Sequence, residues 1–153
     1  MMRVISWVRL PAVLLFAATS IGAAAQTPPA AAGPVTVSKS ATCGCCSKWN
    51  DHMRTAGFTV NSTDLSDVTP VKDKYGVPAA LRSCHTAVVG GYVIEGHVPA
   101  DVIKKLLRER PAVVGIAVPG MPSGSPGMEG SRVDSYNVMS FDKSGATKVY
   151  ASR

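Results

Sequence analysis

A mixed α/β fold, with a central sheet and flanking helices, is what this sequence predicts, and three observations carry the prediction. Cys43 and Cys46 form a C-x-x-C pair at a strand-to-helix turn, strand-like runs alternate with helix-period stretches, and Gly90-Gly91 joins two β-rich runs into a hairpin.

Arg3 and Arg9 precede an apolar run from Leu10 through Ile21, and Ala23-Ala24-Ala25 has the small-residue pattern of a signal-peptidase site. Residues 1–25 therefore read as a signal peptide cleaved after about Ala25. A retained anchor needs about 20 apolar residues, and Pro11, Thr19 and Ser20 interrupt this run. Residues 26–34 (QTPPAAAGP) lack a hydrophobic period and read as a Pro/Ala-rich tether. Residues 35–153 are then expected to form one metal-binding domain, long enough to bury its own core.

Val35 to Ser38 is a β-branched first strand, and the turn Lys39 to Gly44 leads into a helix from about Cys45 to Ala56, closed by Gly57. Trp49 and Met53 share a stripe of that helix and are assigned to the core. His52 lies on the same face, two turns or about 10.5 Å from Cys45. That is too far to share a metal ion, so a partly buried, hydrogen-bonded role is expected. Phe58 to Asn61 reads as a second strand, and Asp67 to Tyr75 as a short helix with Pro70 in its first turn. Thr86 to Val89 and Tyr92 to Glu95 form the hairpin, whose two-glycine turn needs positive φ. A helix follows Pro99, with Val102, Ile103, Leu106 and Leu107 on its buried face, and ends at Pro111. The order β-α-β-α-β-β-α is the thioredoxin-like arrangement, in which the redox motif caps the first helix. Beyond Pro111, Val113 to Val118 is apolar, residues 119–128 are too rich in Pro and Gly for a regular element, and 136–141 with 147–150 read as a terminal hairpin.

The formal charge of +6 falls by two units once Arg3 and Arg9 are removed, and no cluster of basic and aromatic residues remains. Nucleic acid is thereby excluded as a partner, and so is a membrane once the signal peptide is cleaved. Three of the four cysteines, Cys43, Cys45 and Cys46, lie within four residues. At a helix N-terminus, unpaired N–H groups and the positive dipole end favour the thiolate, which is both nucleophile and metal ligand. Two structural disulfides are the alternative for an exported chain, but the adjacent Cys45 and Cys46 suit independent bridges poorly. Cys84-His85 precedes the third strand, where this topology faces the C-x-x-C turn. His97 is either a surface residue or a ligand, and Met121 and Met128, on no periodic face, are expected to be exposed as weaker candidates. Thiolate, imidazole and thioether together favour Cu(I), with zinc less favoured.

The segments TCGCCSKW, GVPAALRSCHTAVVGGYVIEGHVPADVIKKLL and GIAVPGMPSGSPGME resemble the CopG-type exported copper-resistance proteins, a family long labelled a domain of unknown function. The resemblance covers Val35 to about Glu129. It implies a periplasmic thioredoxin-like protein whose C-x-C-C motif (Cys43, Cys45, Cys46) binds copper as Cu(I)/Cu(II) and changes copper or thiol oxidation state. Cys84, His85 and His97 fall in the family's cysteine and histidine segments. Copper ions, and other periplasmic copper-handling or redox proteins, are the implied partners. Two alternatives stay open: a metal-free thiol-disulfide oxidoreductase in which Cys43 attacks and Cys46 resolves, and a non-catalytic copper chaperone. Whether the protein is an enzyme is left open with them.

Overall fold

The computed structural model describes residues 33–153. The expected signal peptide and all but the last two residues of the tether lie outside the described residues.

One seven-stranded mixed sheet organises the chain, in the order β2-β1-β3-β4-β5-β6-β7. Strand β1 (Val35–Ser40) runs into helix α1 (Gly44–Thr55), and β2 (Val60–Leu65) returns parallel to β1. Helix α2 (Thr69–Lys74) and a single 3-10 turn (Ala79–Leu81) lead to β3 (His85–Val89), antiparallel to both β1 and β4 (Tyr92–Glu95). Helix α3 (Ala100–Glu109) then carries the chain to β5 (Gly115–Ala117), parallel to β4. Strands β6 (Asn137–Phe141) and β7 (Thr147–Ser152) complete the sheet. This is the α/β, thioredoxin-like arrangement with a C-terminal extension. Among the described residues, no helix is long and apolar enough to cross a membrane.

Local chemistry accounts for the elements. Gly90 and Gly91 both have positive φ, 57° and 86°, as a tight turn matching the strand twist requires. Val102, Ile103 and Leu106 of α3 are buried, each worth roughly 1.5–3 kcal/mol of transfer free energy. Helix α2 begins at Thr69 rather than Asp67, because the Asp67 carboxylate accepts the Thr69 N–H at 2.8 Å in a turn that precedes the helix. Two features go beyond the expectation. The apolar stretch 113–118 contains β5, whose brevity hid a strand that only pairing with β4 and β6 completes. The terminal hairpin is an extension of the central sheet, because Gly115, Ile116 and Ala117 pair with Phe141, Ser140 and Met139.

The sheet is covered on both faces. On one, Val35, Val37, Ala87 and Ile94 pack with Trp49 and Met53 of α1 and with the buried face of α3; on the other, Val93, Ala117 and Phe141 pack with Val77 and Leu81. Trp49 is the anchor of the first layer, and its indole N–H donates to the Val98 carbonyl at 2.9 Å. That bond ties α1 to the segment following β4, the same segment that carries His97.

Candidate metal centre

The site forms where three chain segments meet at one end of the sheet. Because β1 and β3 are antiparallel, with Lys39 opposite His85, the turn leaving β1 and the residues entering β3 lie side by side. The turn supplies Cys43, Cys45 and Cys46; the entry to β3 supplies Cys84 and His85. Gly96 N–H donates to the His85 carbonyl at 3.0 Å and brings His97 alongside. The cysteine turn is far in sequence from the other two segments, which flank the β3–β4 hairpin.

Cys43 and Cys46 are joined by a disulfide, while Cys45 and Cys84 are free and half-exposed. Cys43 stands at the N-cap of α1 without making a side-chain cap, so the helix's first N–H groups and positive end face the cluster. Cys43 and Cys45 place their sulfurs 3.5 Å apart. Two groups of donors emerge, Cys43 with Cys45, Cys46 and Cys84, and Cys46 with Cys84, His85 and His97; within each, one ligand atom per residue lies within 4.8 Å of the others. Cys46 and Cys84 belong to both.

The imidazoles are set by their surroundings. His97 Nδ1 lies 2.6 Å from the Pro126 carbonyl; a carbonyl only accepts, so Nδ1 carries the proton and Nε2 keeps its lone pair. That lone pair meets Cys84 Sγ at 2.9 Å. His85 is packed against Trp49 with ring centroids 4.4 Å apart, its Nδ1 lies 3.4 Å from Cys84 Sγ, and its buried Nε2 has no hydrogen-bond partner. A buried nitrogen left without a partner costs about 1–3 kcal/mol, and binding a cation is one way to satisfy it. The donor set therefore fits a soft or borderline metal ion.

His97, open between surface residue and ligand in the sequence, is fully buried. Met121 is half-exposed, and its thioether lies 3.9 Å from Cys45 Sγ at the mouth of the site. Met128 departs from the expectation of exposure: it is half-buried, and its backbone pins the Pro/Gly loop through bonds to Gly124 and Ser125 at 2.9 and 2.8 Å. His52 accepts the Ala100 N–H at 3.1 Å on Nε2, satisfying a free donor at the start of α3, and belongs to neither donor group.

Behind the donors lies a layer that sequence reasoning missed. Lys72 and Glu95 form a buried ion pair at 2.6 Å, and Glu95 also accepts from Thr86 Oγ1 at 2.7 Å and from the Ser83 N–H at 2.6 Å. Ser83 Oγ in turn donates to the Gly120 carbonyl at 2.6 Å. The residue before Cys84 is thus held from two sides. A glutamate in the apolar run YVIE was the signal available for Glu95; the carbonyls of Pro126 and Gly120 leave no side-chain signature at all.

Burial pushes the Cys84 thiol up to about 11 from 9.0, with the Cys45 thiol adding to the shift. Burial also lowers His85, His97 and His52 below 6.5. For a histidine held neutral in the fold, the unfolded chain binds the extra proton, so stability is present above the unfolded value and is lost as pH falls through it. Metal-free protein is accordingly expected to lose stability below about 6.5, with His85 and His97 each contributing a slope of about 1.4 kcal/mol per pH unit between their unfolded and folded values. The raised Cys84 thiol acts at the other end, where stability falls as pH rises above 9.0. Urea unfolding across the pH range checks both arms; a flat profile from pH 5 to 6.5 would contradict the first.

A family model described as "Protein of unknown function, DUF411" matches residues 81–128, the stretch holding Cys84, His85, His97 and the Pro/Gly loop. A solved structure named "Copper resistance protein copG- Form 1" is 48% identical over 79% of this chain and 97% of its own, with a TM-score of 0.75. Its "Form 2" counterpart is also 48% identical, over 78% and 97%, with a TM-score of 0.74. No curated protein matches the sequence.

Proposed function

The chain belongs to the CopG-type copper-resistance protein family, and from that membership we propose that it is an exported, periplasmic copper-binding protein of copper resistance. Cys43, Cys45, Cys46 and Cys84 bind Cu(I) as thiolates, with His85 and His97 completing the donor set and Met121 a weaker thioether at the mouth. The observation that carries this reading is the pair of overlapping donor groups sharing Cys46 and Cys84. Shared thiolates suit more than one ion, and the soft set suits Cu(I) ahead of zinc. Met128 is kept as a second weaker thioether candidate beside Met121.

Metal loading is coupled to thiol redox state. A disulfide sulfur is no thiolate ligand, so Cys43 and Cys46 enter the site only after an external dithiol reduces their bond and is itself oxidised to a disulfide, and the two thiols formed release their protons as they bind the metal. The protein therefore cycles copper or thiol oxidation state as it loads and unloads, which separates it from a chaperone that merely carries the ion. The test is an anaerobic titration of the reduced protein, without residues 1–25, with Cu(I) against a competing chelator, followed by X-ray absorption at the copper edge. Sulfur-dominated scattering is expected. A shell of nitrogen and oxygen alone, or undiminished Cu(I) affinity in the Cys43/Cys45/Cys46 triple serine variant, would sink the reading. Cys84→Ser removes a member of both groups and is expected to weaken Cu(I) binding by more than about 100-fold, the upper end of what losing a group behind a ligand costs.

The Cys43–Cys46 disulfide at the start of α1 also favours a second reading, a thiol-disulfide oxidoreductase acting without metal. Insulin reduction by metal-free protein distinguishes it.

A further inference from the structure

Cys45 and Cys84 remain as two free thiols when Cys43 and Cys46 are paired. They come from different elements, the first turn of α1 and the entry to β3. Their sulfurs belong to one group whose members lie within 4.8 Å of one another, so closing a bond of about 2 Å requires less than about 3 Å of approach. The half-exposed Cys45 thiol has only weak contacts with other sulfurs, Cys43 Sγ at 3.5 Å and Met121 Sδ at 3.9 Å. The alternatives are poorer: Cys43 and Cys46 are already joined, and the adjacent Cys45 and Cys46 would need a bridge between neighbours. Cys84 faces an acceptor for its proton, the Nε2 of His97 at 2.9 Å.

We propose that Cys45 and Cys84 are a second redox couple, which closes to a disulfide across the mouth of the site while reducing two cupric ions to cuprous ions. Two S–H bonds break and one S–S bond forms. Each cupric ion takes one electron, the proton of Cys84 leaves by way of His97, and that of Cys45 goes to solvent. The site then has three states, with four, two or no thiols, and in the last no thiolate remains to hold Cu(I). A soft-metal site that uses up its own ligands as it reduces copper releases the product. The electron destination rests on the copper reading; the bond itself does not.

The experiment starts from anaerobic protein holding the Cys43–Cys46 disulfide and two titratable thiols, treated with Cu(II) in the presence of a Cu(I)-specific chelator. The expected result is two Cu(I) per chain, loss of both thiols, a peptide map linking Cys45 to Cys84, and loss of Cu(I) binding until reductant is added. Cys45→Ser is expected to lack the link, its monomeric chains keeping the Cys84 thiol. Links between chains, a Cys46–Cys84 with Cys43–Cys45 pairing, or Cu(I) formed with both thiols still titratable would overturn the proposal. Diamide, a metal-free oxidant, is expected to make the same bond, and its failure to do so overturns the geometric argument. Failure of fully reduced protein to bind Cu(I) instead overturns the copper reading and leaves the bond standing.

Discussion

Replacing Glu95 by alanine is expected to destabilise the protein by about 3–5 kcal/mol, the usual cost of removing one partner from a buried ion pair. Lys72 and Glu95 have side chains only 5% and 0% exposed, so neither can turn to water when the other is lost. The truncation strands the Lys72 ammonium and leaves the Ser83 N–H and the Thr86 hydroxyl without the carboxylate they donate to. In thermal unfolding this corresponds to a fall of roughly 10–20 °C in Tm. The double variant Lys72→Met/Glu95→Leu removes both charges and is expected to recover most of that loss, because an apolar pair of similar volume replaces a desolvated ion pair at little cost. It does not restore the acceptor for Ser83. A recovered Tm with Cu(I) affinity still weakened would identify the pair as what positions the segment carrying Cys84, whereas full recovery of both would make the ion pair a matter of stability alone.

Gly127→Ala is the second substitution with a large expected effect. A Cβ at this position would lie 2.5 Å from the Cys45 carbonyl oxygen, 3.0 Å from the Trp49 nitrogen and 3.3 Å from His97 Nδ1. Two of those neighbours are backbone, which cannot swing aside, and the φ of +88° is itself unfavourable to a side chain. The loop has to lift from α1, and the Pro126 carbonyl leaves the His97 Nδ1 proton it accepts at 2.6 Å. The expected cost is about 1–3 kcal/mol of backbone strain, and if His97 ligates as proposed, metal affinity falls about 10–100-fold through loss of the group that orients its ring. Nitrogen NMR of the metal-free protein offers a direct readout, because the Nδ1–H tautomer of His97 should give way to a mixture. Gly130→Ala, where a Cβ meets nothing within 4 Å, is the control and should leave both properties unchanged. An unaltered tautomer in Gly127→Ala would show that the loop does not orient the ring.

Much of the scaffold was legible in the residues because its signals are local. The Gly90-Gly91 turn, the apolar face of α3 and the stripe placing Trp49 and Met53 in the core each depend on residues a few positions apart, where backbone preference and periodicity act directly. The three clustered cysteines were equally plain, since their chemistry needs only adjacency. Strand β5 was not, because a short apolar run such as Gly115 to Ala117 becomes a strand only when β4 and β6 lie on either side.

From the residues alone come an α/β chain, a thiol-rich turn at the start of its first long helix, and Cys84, His85 and His97 as candidate companions. Only the tertiary structure shows how those companions are arranged: His97 is buried with its Nε2 turned toward Cys84, the Met121 thioether lies beside Cys45, and Lys72, Glu95 and the Pro126 carbonyl hold the neighbouring segments from behind. The reason is physical. A residue's identity sets which bonds it can make, but the direction of a lone pair and the desolvation of a charge depend on what the fold packs around it. Here those partners come from segments far apart in the chain, and some are backbone carbonyls that any residue would supply.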